Sequence, residues 1–164
     1  MFILFIYLLF ISVYAVLPVF YRSKRPAMFQ FYLRMVLYPN FRKCYSLGLL
    51  AMLMVFHFYY LNIFRNVYEL ALSSALCLFL YSHKNMERVF NLLQRDKPLY
   101  VASALSIALL FVPHALPLGI TSGTLVFGSL FYPSMNVRTA PLERLETYLK
   151  SPKGIVDDYF KRDE

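Results

Sequence analysis

The sequence predicts an all-α integral membrane protein, a polytopic helical bundle of about five transmembrane spans. First, 59% of the 164 residues are hydrophobic and 18% are aromatic, which is more apolar surface than a water-soluble domain of this length can bury. Second, sixteen of the seventeen Lys and Arg residues fall in three polar stretches, at 22–43, 84–97 and 138–162, with apolar segments between them. If the chain crosses the bilayer and returns between successive stretches, all three lie on the cytoplasmic face, as the positive-inside rule requires.

The first apolar run predicts a retained span with its N-terminus outside. Residues 1–21 carry no charged side chain, and Arg22, Lys24 and Arg25 follow them. A cleaved signal peptide begins with a basic region instead. Residues 27–38 are rich in aromatic side chains but too short to span, so they predict an interfacial helix in the plane of the headgroups.

The second and third spans are predicted at about 45–63 and 66–82, joined by a short exterior turn that contains Arg65. The cytoplasmic linker 83–97 follows. Its apolar residues recur at helical spacing and predict a short amphipathic surface helix; they are Met86, Val89, Phe90 and Leu93.

The uncharged region 98–133 is too long for one ordinary span. A single helix of this length would extend about 54 Å, beyond the roughly 30 Å of a hydrocarbon core. Pro113 and Pro117 supply a break, and two short spans return the six Lys and Arg residues of the tail to the cytoplasm. A re-entrant hairpin over 98–133 is an alternative with the same sidedness.

The transmembrane region is therefore predicted to cover residues 1–133, and residues 134–164 form a cytoplasmic tail. Within the tail, 141–150 predicts a short amphipathic helix whose apolar stripe offers a docking surface. The stripe consists of Leu142, Leu145 and Leu149. We expect the charged residues 153–164 to take a fixed structure only when a partner binds them.

Ionisable side chains inside spans are the first candidates for function, because a charge at mid-bilayer is costly unless it is paired. They are His57 and Glu69, with Arg65 four residues before Glu69, a spacing at which opposite charges pair along a helix. We expect His57 to hydrogen-bond a neighbouring span. A sharper hypothesis is that His57 meets Glu69 across the hairpin as a pH-sensitive pair.

Small residues are a second signal. Gly119, Gly123 and Gly128 allow close approach of helices in lipid. These glycines could serve packing between helices of one chain or packing between subunits, and the sequence does not distinguish the two. We expect neither a metal site nor a cofactor, since no second His or Cys stands at ligand spacing from His57.

Motifs for enzymatic chemistry are absent from the sequence, so we expect a protein that is not an enzyme. The sequence contains no His-Glu-x-x-His, no Gly-x-x-x-x-Gly-Lys and no Gly-x-Ser-x-Gly. Three potential docking elements lie on the predicted cytoplasmic side: the interfacial helix 27–38, the linker 83–97 and the tail 134–164. They instead predict a small membrane subunit that anchors or scaffolds a protein complex through its basic cytoplasmic face. Alternatives are an oligomeric conduit for ions or small solutes, and an immunity-type or defence-type protein that acts by helix–helix contact.

The expected partners follow from the positions of the charges. Basic clusters that flank spans predict contact with anionic lipid headgroups rather than nucleic acid. Copies of the chain, other membrane subunits and a cytosolic protein are further expected partners. The bacterial inner membrane is the expected location. The endoplasmic reticulum is an alternative, because Lys161 and Arg162 resemble a dibasic retrieval signal.

Overall fold

The computed structural model describes residues 19–65, 67–112, 114–141, 146, 148 and 152–160, and within these ranges it is helical without strands. This confirms the all-α class. The helices are α1 (Pro26–Leu37), α2 (Pro39–Phe64), α3 (Val67–Leu80), α4 (His83–Leu93), α5 (Asp96–Phe111), α6 (Leu116–Leu130), α7 (Met135–Arg138) and α8 (Pro152–Tyr159).

Two helical hairpins form the body of the fold. In the first, α2 ends at Arg65, which adopts the left-handed conformation at φ 52° and donates its N–H to the Leu61 carbonyl at 2.9 Å. A left-handed residue of this kind terminates a helix and lets the chain reverse into α3. In the second hairpin, α5 packs extensively against α6, and His114 between them has φ 65°.

Helix α6 is the central element, in contact with α2, α3, α4 and α5. Small and hydroxyl-bearing side chains let its neighbours approach closely. Its buried residues are Pro117, Gly119, Thr121, Thr124, Leu125, Val126, Gly128 and Ser129.

A cap of short helices covers the end of the bundle where α2 begins and α6 ends. Helix α8 packs on α1, with the rings of Tyr32 and Tyr159 4.6 Å apart. The Tyr159 hydroxyl donates to the Phe131 carbonyl at 2.6 Å. The expectation that residues 153–164 await a partner is therefore wrong for the described part, because the apolar face of α8 supplies Ile155 and Val156 to the core.

The outer faces of α2, α3 and α5 are apolar. Water-soluble proteins rarely expose so much contiguous apolar surface. The exposed large side chains include Met54, Val55 and Phe58 on α2, Leu72, Leu78 and Phe79 on α3, and Val101, Leu105 and Ile107 on α5. Among the described residues, α2 is the one helix that is long and apolar enough to cross a membrane.

Helices α1 to α6 lie in predicted segments, whereas α7 and α8 were not predicted. Helix α2 starts at residue 39 rather than 45, because Pro39 takes the first helical position, where its missing N–H costs nothing. Region 98–133 divides into α5 and α6. The predicted span 1–21, apart from its last three residues, and most of the predicted helix 141–150 lie outside the described residues.

Candidate functional site

A polar cluster under the cap joins three helices through one carboxylate. Glu87 of α4 accepts a hydrogen bond from the Tyr132 hydroxyl at 2.6 Å. Its Oε1 lies 3.3 Å from Arg138 Nη1, 3.6 Å from His83 Nε2 and 3.9 Å from Arg42 Nε. We call these five residues the Glu87 cluster. It ties α2, α4 and α7 together at the end of α6.

The two arginines of the Glu87 cluster are nearly buried and have further partners. Arg42 donates from Nη1 to the carbonyls of Met35 and Val36 at 3.0 Å, at the C-terminus of α1, where a cation is favoured. Arg138 donates to the Asn91 side chain. The Arg42 and Arg138 side chains are 14% and 11% exposed, so the charge of Glu87 is what balances them.

Three cap tyrosines hold their protons firmly. Burial raises the pKa of Tyr32 to about 12. Burial also raises the pKa of Tyr132, with a further contribution from its hydrogen bond to Glu87, and raises the pKa of Tyr159. These phenols therefore stay hydrogen-bond donors at any physiological pH.

Alkaline pH is expected to loosen the cap. The unfolded phenols ionise near pH 10, while the folded ones keep their protons, so stability is fully present below pH 10 and falls as the pH rises above it. Thermal unfolding between pH 8 and pH 12 measures this slope. Tyr132→Phe should reduce the fall of stability with rising pH. Tyr38→Phe, at an exposed position, is the control. An equal effect of both variants would contradict the conclusion that buried phenols of the cap cause this fall.

The exposed cations lie almost entirely at the capped end of the bundle. Only Arg65, among the exposed Lys and Arg residues in the described ranges, lies at the opposite end. Lys84 and Arg88 of α4, and Arg95 between α4 and α5, are exposed, whereas Met86 of α4 is buried. We call the exposed cations of the capped end the basic face; they are Arg22, Lys24, Arg25, Arg34, Lys43, Lys84, Arg88, Arg95 and Lys97.

His57 is the centre of a buried polar cluster inside the bundle. Its Nε2 lies 3.0 Å from Ser73 Oγ, and that hydroxyl donates to the Leu70 carbonyl. The hydroxyl proton is thus engaged, so we assign the imidazole proton to Nε2 as the donor to Ser73. Nδ1 then accepts from the Cys77 thiol at 3.9 Å, and Thr121 Oγ1 lies 3.4 Å from Nε2. His57 links α2, α3 and α6, as expected of a histidine bonded to neighbouring helices.

The predicted pair of His57 with Glu69 is not formed. His57 and Ser73 each lie eight residues from Arg65, on either side of the turn. Residues equally distant from the turn of an antiparallel hairpin face one another, so His57 meets Ser73. Tyr60, five residues before the turn, reaches Glu69 and donates to its carboxylate.

Glu69 joins the two hairpins instead of pairing with Arg65. Its Oε1 lies 2.5 Å from His114 Nδ1, in the turn between α5 and α6. The predicted pairing with Arg65 requires both residues on one continuous helix. Arg65 lies in the left-handed turn, outside α3, and its side chain is exposed.

The three glycines of α6 have different surroundings. A Cβ added at Gly119 would lie 3.1 Å from the Leu110 backbone nitrogen, and one added at Gly128 would lie 2.6 Å from Leu49 Cδ1. At Gly123 the nearest atom is Ser106 Cβ at 4.0 Å. Close packing within the chain therefore occupies Gly119 and Gly128, and Gly123 has room for a methyl group.

Alanine at these positions should separate tight from open packing. Gly123→Ala should raise the free energy of unfolding by up to about 1 kcal/mol, the gain of replacing helical Gly by Ala. Gly119→Ala should lose this gain and lower stability, because the methyl group pushes against the backbone of α5. Thermal unfolding in detergent measures both, and equal shifts would contradict the close approach of α5 and α6.

The predicted docking stripe of Leu142, Leu145 and Leu149 lies outside the described residues. No group of three or more His, Cys, Asp or Glu residues suited to a metal ion occurs among those described. No protein-family model, curated protein or solved structure matches the chain.

Sequence reasoning missed the Glu87 cluster. Arg42, Glu87 and Arg138 are far apart in the chain, so no local spacing connects them. One sequence signal was present. Glu87 lies next to Met86 and three residues before Phe90, the apolar residues that α4 buries. A carboxylate so close to a buried face needs polar partners.

Proposed function

We propose that the protein is a non-enzymatic, multi-pass membrane subunit that anchors a cytosolic protein at the membrane through its basic face. The observation that carries the proposal is the distribution of the surface: nine exposed cations at the capped end, apolar outer faces on α2, α3 and α5, and one exposed cation at the other end, within the described ranges. A basic surface at the cytoplasmic side of a membrane favours a partner with an acidic surface.

The contact between Glu69 and His114 supports two crossings by α5 and α6 over a re-entrant hairpin. It brings the second turn to the level of the first turn. Helices α3, α5 and α6 have 14, 16 and 15 residues, or about 21 to 24 Å. Flanking residues, tilt of α2 and local thinning of the bilayer accommodate such short helices at modest cost. The bacterial inner membrane remains the proposed location.

The hydrogen bonds of the small polar residues favour an anchor over a conduit. A pore needs hydroxyl groups directed at the permeating solute. Several hydroxyls in α3, α5 and α6 donate to carbonyls of their own helices; they include Ser73, Ser106, Ser122, Thr124 and Ser129. These side chains therefore contribute to helix packing. The conduit hypothesis rested mainly on the same side chains lining a pore, and it loses that support.

Charge reversal on the two ends of the bundle tests the anchor. The protein is extracted from its native membrane in mild detergent, and the mass of the particle is compared for wild type, Arg88→Glu and Arg65→Glu. We expect a particle larger than the chain and its own copies, lost in Arg88→Glu and kept in Arg65→Glu. Equal masses in both variants, or ion flux through the purified protein in liposomes, would overturn the proposal.

A further inference from the structure

We propose that an apolar groove beside the basic face binds one acyl chain of an anionic phospholipid, whose phosphate lies on Arg22, Lys24 and Arg25. The groove has a volume of about 330 Å³ and lies between α1, α2 and α6, within the range of small-ligand pockets. Its lining includes Phe20, Met28, Leu49, Met52, Phe127 and Phe131. The inference rests on the proposed membrane location and is independent of any protein partner.

The lining of the groove suits a hydrocarbon chain. The two polar side chains in it have partners: the Tyr45 hydroxyl donates to the Gly128 carbonyl at 2.9 Å, and Thr124 Oγ1 donates to the Ile120 carbonyl at 2.8 Å. A ligand in the groove therefore meets methyl groups, methylenes and rings. Each methylene buried there contributes favourably to binding.

The direction of the groove matches a lipid in the bilayer. Along α2 its lining runs from Tyr45 through Leu49 to Met52, seven residues or roughly 10 Å. On α6 it runs from Phe131, just past the end of the helix, back to Thr124. In the proposed topology both paths lead from the cytoplasmic surface towards the centre of the bilayer, the direction that an acyl chain takes.

The charges at one end of the groove identify the headgroup. Phe20 lines the groove, and the Arg25 guanidinium lies 5.7 Å from its ring centroid. Arg22 and Lys24 are exposed in the same turn as Arg25, and the Arg22 guanidinium lies 5.7 Å from the centroids of the Tyr21 and Phe160 rings. These cations complement a phosphate at the end of the acyl chain. They do not complement residues 1–18, which contain no acidic side chain, or a second copy of this chain, whose net charge is +8.

Binding of defined lipids to the full-length protein tests the site. Phosphatidylglycerol or phosphatidylcholine is added to the protein in detergent. Native mass spectrometry then measures the lipid adducts, and thermal unfolding measures the rise in unfolding temperature. Wild type should bind one phosphatidylglycerol with preference. The triple variant Arg22→Gln, Lys24→Gln, Arg25→Gln should bind it on the order of 100-fold more weakly, from roughly a fivefold loss per cation.

A second triple variant, in which Lys84 and Arg88 of α4 and Arg95 just after α4 are each replaced by Gln, is the control because it removes the same charge elsewhere on the basic face. It should keep the binding of wild type. Equal losses in the two triple variants, or equal binding of the two lipids by wild type, would overturn the site.

A photoreactive phenylalanine analogue at Phe127 identifies the occupant directly. In membranes containing phosphatidylglycerol it should give an adduct with the mass of that lipid. A crosslink to a peptide from residues 1–18, or to a second copy, would overturn the lipid assignment. Loss of the protein partner in the anchoring experiment would leave these results unchanged, so the two proposals fail separately.

Discussion

Replacing Glu87 with Gln should lower the free energy of unfolding by about 3 kcal/mol. The substitution keeps the shape of the side chain and removes the negative charge that balances Arg42 and Arg138, whose side chains are 14% and 11% exposed. Breaking a buried ion pair by removing one partner costs about 3 to 5 kcal/mol. The lower end applies here because the Glu87 side chain is 28% exposed and water reaches part of it.

Chemical denaturation in detergent micelles measures this effect. Asp157→Asn removes the same charge from an exposed position on α8 and should change stability by no more than about 0.5 kcal/mol. A small effect of Glu87→Gln, similar to that of the control, would mean that the cluster contributes little to holding the cap on the bundle.

Arginine in the middle of α2 should prevent stable membrane integration. Val55 is exposed and apolar and lies near the centre of the predicted span 45–63. A charge at mid-bilayer costs about 2.5 to 3.5 kcal/mol on insertion scales. We therefore expect Val55→Arg to reduce sharply the fraction of protein that resists alkaline carbonate extraction.

Leu47→Arg is the matched control for this experiment. Leu47 is 52% exposed, close to the 55% of Val55, and lies four residues after Lys43. Arginine at that position can extend its guanidinium to the headgroups while its stem stays apolar. It should integrate like wild type. If both variants integrate equally well, the outer face of α2 does not lie in lipid.

The helical hairpins were predictable from the sequence because their signals are local. Apolar runs, a proline-containing break near His114 and the amphipathic pattern of α4 depend on residues a few positions apart. The polar contacts between helices were harder to predict from the sequence. His57 was expected to meet Glu69, and the register of the hairpin pairs it with Ser73 instead.

The cap was beyond sequence reasoning for a related reason. Its stability depends on contacts between residues far apart in the chain, such as Tyr32 with Tyr159 and Tyr132 with Glu87. Charged and short segments like α8 have weak local signals, and only the apolar face that they bury decides their structure.

Labelling of single cysteines in intact cells tests the multi-pass topology most directly. With Cys44→Ser and Cys77→Ala as background, one cysteine is placed at Arg65, at Val112 or at Lys84, and a membrane-impermeant maleimide is added. We predict labelling at 65 and 112 in intact cells, and at 84 only after permeabilisation. Labelling at 84 in intact cells, or protection of 112 while 65 reacts, would contradict two crossings by each hairpin with the basic face inside.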